Sequence, residues 1–342
     1  MNKIDRRDFL KLAGAAGMVG VPGLGALAHA SQVSALAKSQ GKAVFYANIT
    51  AVEPIMAAFE KATGIKGEYT RASSSKFVPT ILTEFQAGKL QADILQSPQP
   101  MLDLLKQQGV LAPYASPSAQ GYPDWATQDD SITLFGIEYV SYLFNTDHLK
   151  PSEAPARYED LADPKWKNQI VMANPANHAS TIAWLVGLKE LVFKSEDEWL
   201  AFVKGLAANR PMFVASFGPT PAPVESGEKR IGISMPKYIV TKKPAPLDWG
   251  PRSGQPLLGT SRAIALTSKA PRPDAARAFI DYWLGKEAMS LLAKDVGEYV
   301  LAPGVFPEIE GIDKVEVKPV RDLSDEELQK WGREFAGIFN TR

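Results

Sequence analysis

The residues of this chain that could do chemistry are short hydroxyls, amides and a few phenols. They gather in turns that each follow an apolar run, most of them opening a helical one. Six turns carry them: Ala47–Thr50, Ala72–Lys76, Gln96–Gln99, Ala173–Thr181, Ser216–Thr220 and Met235–Tyr238. The candidate ligand-binding residues are Tyr46, Asn48, Ser73, Ser74, Ser75, Ser97, Asn174, His178, Ser180, Thr181, Ser216 and Tyr238, with Tyr139 inside a long apolar stretch. In an open α/β sheet, ligands sit outside the carboxyl ends of the strands. A helix N-terminus there offers unpaired N–H groups and the positive end of a dipole. The chemistry these residues suit is recognition of a small anion by hydrogen bonds.

Each has a structural alternative. One of Ser73, Ser74 and Ser75 can serve as a helix N-cap, a favoured serine position, with its neighbours solvated. His178 can donate to an anion, accept from a ligand amine, or cap backbone groups. Ser180 and Thr181 stand near a helix start. Tyr238 can close over a ligand; Tyr46 and Tyr139 suit a core with their hydroxyls satisfied.

Signs of turnover are missing. The absence of cysteine removes disulfides, thiolate zinc sites, iron–sulfur clusters and cysteine nucleophiles together. Three histidines (His29, His148, His178) leave little for a polyhistidine metal site. Gly232-Ile233-Ser234-Met235-Pro236 approaches a hydrolase elbow but ends in proline, where the tight turn needs a small residue. Neither catalytic residues nor a cofactor or resident metal is expected. Acidic and basic residues balance at 38 each, with no basic block in the body, which argues against nucleic acid.

Residues 1–30 read as an address. Arg6-Arg7 with Phe9-Leu10-Lys11 resembles a twin-arginine export signal, and a Gly/Ala-rich run from Leu12 to Leu27 leads to Ala28-His29-Ala30. That run falls short of the roughly 20 strongly apolar residues a membrane span needs. Cleavage after Ala30 removes four basic and two acidic residues, and leaves 312 residues with a formal charge of −2. Residues 31–41 are expected to be a flexible lead-in.

The elements that must position the turns alternate. Strands near 43–46, 65–70 and 92–96 are each followed by a helix, so the domain is α/β with a largely parallel sheet. Ser131–Asn145 is too long for one ordinary strand and suits a passage between domains. A second α/β unit occupies roughly 140–258. A strand at Ala263–Leu266, an amphipathic helix at Pro273–Leu284 and a polar helix opened by the capping box Ser324–Glu327 follow.

Several stretches carry a family resemblance. They are Val44-Phe45-Tyr46, Phe59–Ile65, Leu82–Gly88 before Ala92-Asp93-Ile94, Leu161–Lys167, Pro273–Tyr282 and Gly285–Ala288. Over about residues 42–305 the chain resembles the bacterial extracellular solute-binding proteins of ABC transporters, in the branch holding ferric-iron-, phosphonate-, sugar-phosphate- and thiamine-binding members. The resemblance implies a two-lobed type II periplasmic binding fold, each lobe a mainly parallel sheet flanked by helices, with a ligand cleft between. Lobe 1 would take 42–138 and about 259–310, and lobe 2 would take 139–258 and about 311–342. Crossings would fall near Ile137–Tyr142 and Gly259–Ile264.

It also implies a periplasmic, non-enzymatic, monomeric protein that closes on a small molecule by hinge motion and hands it to an inner-membrane permease. Ferric-binding members place adjacent tyrosines where Tyr238 stands alone beside Lys237, which suits an anion better than Fe³⁺. The expected ligand is therefore a carboxylate or a phosphonate/phosphate. Ferric iron is the alternative, or a cationic solute of thiamine or polyamine type held by Trp249 and Asp248. An exported α/β hydrolase is a third.

Overall fold

A computed structural model describes residues 33–50, 52–72, 74–127 and 129–340. The expected export signal, 1–30, lies outside the described residues, as does Ser73. The first element of the described residues is helix α1 (Ala35–Gln40), capped by the Ser34 hydroxyl at one end and by left-handed Gly41 at the other. Within the expected flexible lead-in, 31–41, Ala35–Gln40 form this docked helix, while residues 31 and 32 lie outside the described residues. The Gln40 side chain bonds Asp274 and the Ala275 N–H, holding α1 on a later helix.

The strand–helix alternation then appears as β1 (Lys42–Ala47), α2 (Glu53–Thr63), β2 (Lys66–Arg71), α3 (Ser74–Gln86), β3 (Ile94–Pro98) and α4 (Gln99–Gln107). Gly64 ends α2 in the left-handed region at φ 73°, where a side chain would cost energy. A short β4 (Leu111–Ala112) leads to β5 (Thr133–Asn145), 13 residues long and almost wholly buried.

The second unit runs β6 (Ile170–Ala173), α5 (Ala179–Leu191), α6 (Glu196–Ala208), β7 (Met212–Val214), α7 (Pro221–Glu225), β8 (Ile231–Ser234), α8 (Lys237–Thr241) and β9 (Leu247–Gly250). The chain returns through β10 (Leu257–Thr267). It ends with α9 (Pro273–Leu284), α10 (Lys286–Val296), β11 (Tyr299–Val300), β12 (Val317–Pro319) and α11 (Asp325–Phe339). The predicted capping box is present at α11: Ser324 and Glu327 bond each other's backbone N–H groups.

The strands form one mixed sheet in the order β2-β1-β3-β10-β5-β8-β6-β7. Parallel triplets sit at its two ends, β2-β1-β3 and β8-β6-β7. Between them β5 and β10 run antiparallel, paired from Leu258↔Val140 to Ile264↔Thr133. The first half of β5 pairs with β10 and the second half with β8 and β9. The strand expected at Ala263–Leu266 extends back to Leu257, through the polar Thr260-Ser261-Arg262 that conceals it in the sequence.

Two apolar clusters flank this middle. The first joins Phe45, Phe59, Phe279 and Trp283 with ring centroids 5.0–5.8 Å apart. The second gathers Trp184, Trp199 and Phe335. α5 is apolar on all sides from Thr181 to Leu188 because it is buried in that second cluster.

Candidate ligand-binding site

Where β5 and β10 cross from one half to the other, charge is buried. The Arg262 guanidinium donates to both oxygens of Glu298, at 3.0 and 3.1 Å, and to Glu138 at 2.8 Å. Glu298 also accepts from Lys237 Nζ at 3.2 Å. The side chains of Arg262 and Glu298 are 7% and 3% exposed, whereas Glu138 keeps 24%. Burial pushes the Glu298 carboxyl up, but Arg262 and Lys237 outweigh it and hold it below the ordinary range. Beside this floor the buried Tyr139 ring meets Tyr299 edge-on at 5.7 Å, and its hydroxyl has no partner among the described residues.

The turns after β6, β7 and β8 form a wall. His178 caps α5: its Nδ1 accepts from the Thr181 N–H at 3.3 Å and lies 2.9 Å from the Thr181 hydroxyl. Its ring sits edge-on to Phe217 at 4.7 Å. Burial lowers the His178 pKa against the pull of Glu138. Ser180 lies one residue into the helix and is part-exposed. Ser216 and Tyr238 converge across Gly218: a methyl group there would lie 3.8 Å from both oxygens. Tyr238 packs against both apolar clusters. Burial, then Glu138 and Glu298, push its phenol up to about 12. Asn174 spends its side-chain oxygen on the Ala176 N–H, shaping the turn before α5.

The first half contributes the ends of β1 and β3. The Gln96 side-chain oxygen accepts the Ile49 N–H at 3.0 Å, its backbone carbonyl accepts the Asn48 N–H, and its Nε2 has no partner among the described residues. Ser97 is fully buried with its hydroxyl on the Met101 sulfur. Burial, then the neighbouring Glu84 of α3, raises the Tyr46 phenol above its ordinary range. Ser74 and Ser75 open α3.

The structure thus gathers His178, Thr181, Ser216 and Tyr238 with the charged floor. It engages Tyr46, Ser97 and Asn174 within their own halves. Sequence reasoning passed over Glu138, Arg262 and Glu298. A signal was available for Glu138, a single charge inside an apolar strand run, which burial tolerates only when paired; Arg262, behind the polar Thr260-Ser261, gave none. The rival cation pair is otherwise occupied, since Asp248 bonds Arg252 and the Trp249 indole donates to the Glu310 carbonyl from the core. Among the described residues no group of three or more His, Asp or Glu could hold a metal ion.

Residues 54–319 match the model of the bacterial extracellular solute-binding proteins. The chain belongs to that family. Its members capture small solutes outside the cytoplasm without transforming them and deliver them to ABC permeases. Consistently, no helix among the described residues is long and apolar enough to cross a membrane. A periplasmic protein of Salmonella typhimurium, named for 2-aminoethylphosphonate binding, is 27% identical over 246 residues, covering 69% of this chain and 70% of its own. Two solved solute-binding structures share the type II fold. An ABC-transporter substrate-binding protein from Agrobacterium tumefaciens aligns with TM-score 0.71 at 15% identity, over 89% of this chain and 97% of its own. Iron-bound HitA from Pseudomonas aeruginosa aligns with TM-score 0.68 at 18% identity, over 87% and 98%.

Proposed function

We propose that this solute-binding protein captures a small organic anion, a phosphonate, phosphate or carboxylate, between its two lobes. The observation that carries the reading is a pair of neutral hydroxyls, Ser216 and Tyr238, that converge across Gly218, where Phe217 packs on the His178 that caps α5 and Ser180 lies in that helix's first turn. Such groups bind anions by N–H and O–H donation. The likeness to the Salmonella protein named for 2-aminoethylphosphonate points the same way. Tyr46, Asn48, Ser73, Ser74, Ser75, Ser97, Tyr139, Asn174, His178 and Thr181 complete the proposed set, by contact or by shaping the turns.

Ferric iron is the second reading, favoured by the likeness to iron-bound HitA and by the unpartnered Tyr139 hydroxyl. Against it, Tyr238 stands beside Lys237 with no adjacent tyrosine to supply a second phenolate. Calorimetry with 2-aminoethylphosphonate, inorganic phosphate and small carboxylates tests the choice. Micromolar or tighter binding of one of them is expected. Binding of none, with tight Fe³⁺ uptake and a visible charge-transfer band, overturns it.

Capture would proceed by hinge closure about β5 and β10, with lobe 1 built from 42–138 and about 259–310 and lobe 2 from 139–258 and about 311–342. Export by the twin-arginine route with cleavage after Ala30 is part of the same proposal. N-terminal sequencing of the exported protein checks it, with Ser31 expected first.

A further inference from the structure

The charged floor offers an anion no net positive charge. Arg262 is shared between Glu298 and Glu138, and Lys237 reaches Glu298 alone. Two cations and two carboxylates sum to zero. The facing wall adds no positive side chain: Ser180, Ser216, Tyr238 and the neutral imidazole of His178 stand there. Glu138 is the most exposed carboxylate of the network, 24% against 3% for Glu298. It has one ionic partner among the described residues, Arg262, bound through Oε2. It also lies within electrostatic reach of the His178 ring and the Tyr238 hydroxyl, and Lys237 of the same network lies 6.0 Å from the Tyr238 ring. A ligand with negative charge alone would bring its charge against Glu138, whose one ionic partner, Arg262, is shared with Glu298.

We infer that Glu138 is the specificity-determining residue for a ligand that carries a protonated amine as well as its anionic group. The ammonium meets the Glu138 carboxylate, while the anionic head meets the hydroxyls of Ser180, Ser216 and Tyr238. The head supplies the affinity that the wall offers to any small anion. The amine removes the repulsion that the floor offers to anions without one, and adds a charge-assisted hydrogen bond in a partly dry site. This deepens the anion reading and rests on it.

The test is calorimetric titration of 2-aminoethylphosphonate and ethylphosphonate, which differ by the amine, into the wild-type protein and into Glu138→Gln. The wild type should prefer the aminated compound by at least about tenfold. Glu138→Gln should bring the two within about threefold, mainly by weakening the aminated one. Equal binding of both compounds by the wild type overturns the inference and leaves the anion reading standing; this comparison needs no variant. A preference retained in Glu138→Gln, with the variant's circular dichroism unchanged, also overturns the assignment to Glu138. Failure of the wild type to bind either compound or inorganic phosphate overturns the anion reading itself, and the inference with it.

Discussion

At the scale of single residues, the site is a buried ion network set against neutral donors, and the two parts should respond differently to substitution. Tyr238→Phe and Ser216→Ala each remove one donor to a charged ligand. Each is expected to weaken binding by about ten- to a hundredfold with little change in melting temperature, measured by calorimetry and thermal unfolding. Glu298→Gln leaves Arg262 buried with Glu138 alone, and should cost about 3–5 kcal/mol in denaturant unfolding. Its pH dependence has a definite sign. The Glu298 carboxyl is held below its ordinary 4.5, so its contribution is complete above that pH and is lost as pH falls through the folded-state value. The wild type should therefore lose stability on acidification below about pH 4.5 more steeply than Glu298→Gln. The hydroxyl-rich turns were legible in the sequence because serine, threonine and asparagine follow strand ends. Their division into wall and local scaffold was not, because it depends on which way each side chain turns. The Asn174 side chain looks like a donor in the sequence and is spent on its own turn.

At the scale of elements, the crossing of β5 and β10 depends on Gly259. A methyl group there would sit 2.1 Å from the Glu138 carbonyl oxygen and 2.5 Å from the Tyr139 Cα, both backbone atoms that cannot step aside. Gly259→Ala is expected to cost about 1–3 kcal/mol and to lower the melting temperature by several degrees. It should also disturb ligand affinity, since Glu138 and Tyr139 are the residues displaced. Gly337, exposed on α11 with open space at its Cβ, makes the contrast. Gly337→Ala should stabilise by roughly 0.5–1 kcal/mol through helix propensity alone. Helices with one apolar face, such as α9, were readable to the residue. β10 was cut short in the reading because Thr260, Ser261 and Arg262 look like a loop; they are strand because β5 pairs with all three and β3 takes up Arg262 on the other side. Helix α1 escaped notice because its six residues are held by Asp274 and Ala275, more than 200 positions away.

At the scale of the whole molecule, two apolar clusters are joined through a pair of antiparallel strands, and the proposed hinge closure about them is measurable. Small-angle scattering should show a smaller radius of gyration with saturating ligand than without it, and sedimentation should show one chain per particle in both states. An unchanged radius with calorimetrically verified binding would contradict closure. The sequence alone determined the alternation of strand and helix, the lack of cysteine chemistry and the family, because apolar periodicity and turn residues are local properties. Only the tertiary structure decided which charges share the crossing. Glu138, Arg262, Lys237 and Glu298 come from four separate stretches of the chain, and no local pattern marks them as partners. What brings them together is burial, which excludes water from β5 and β10 and leaves each of these charges dependent on the others.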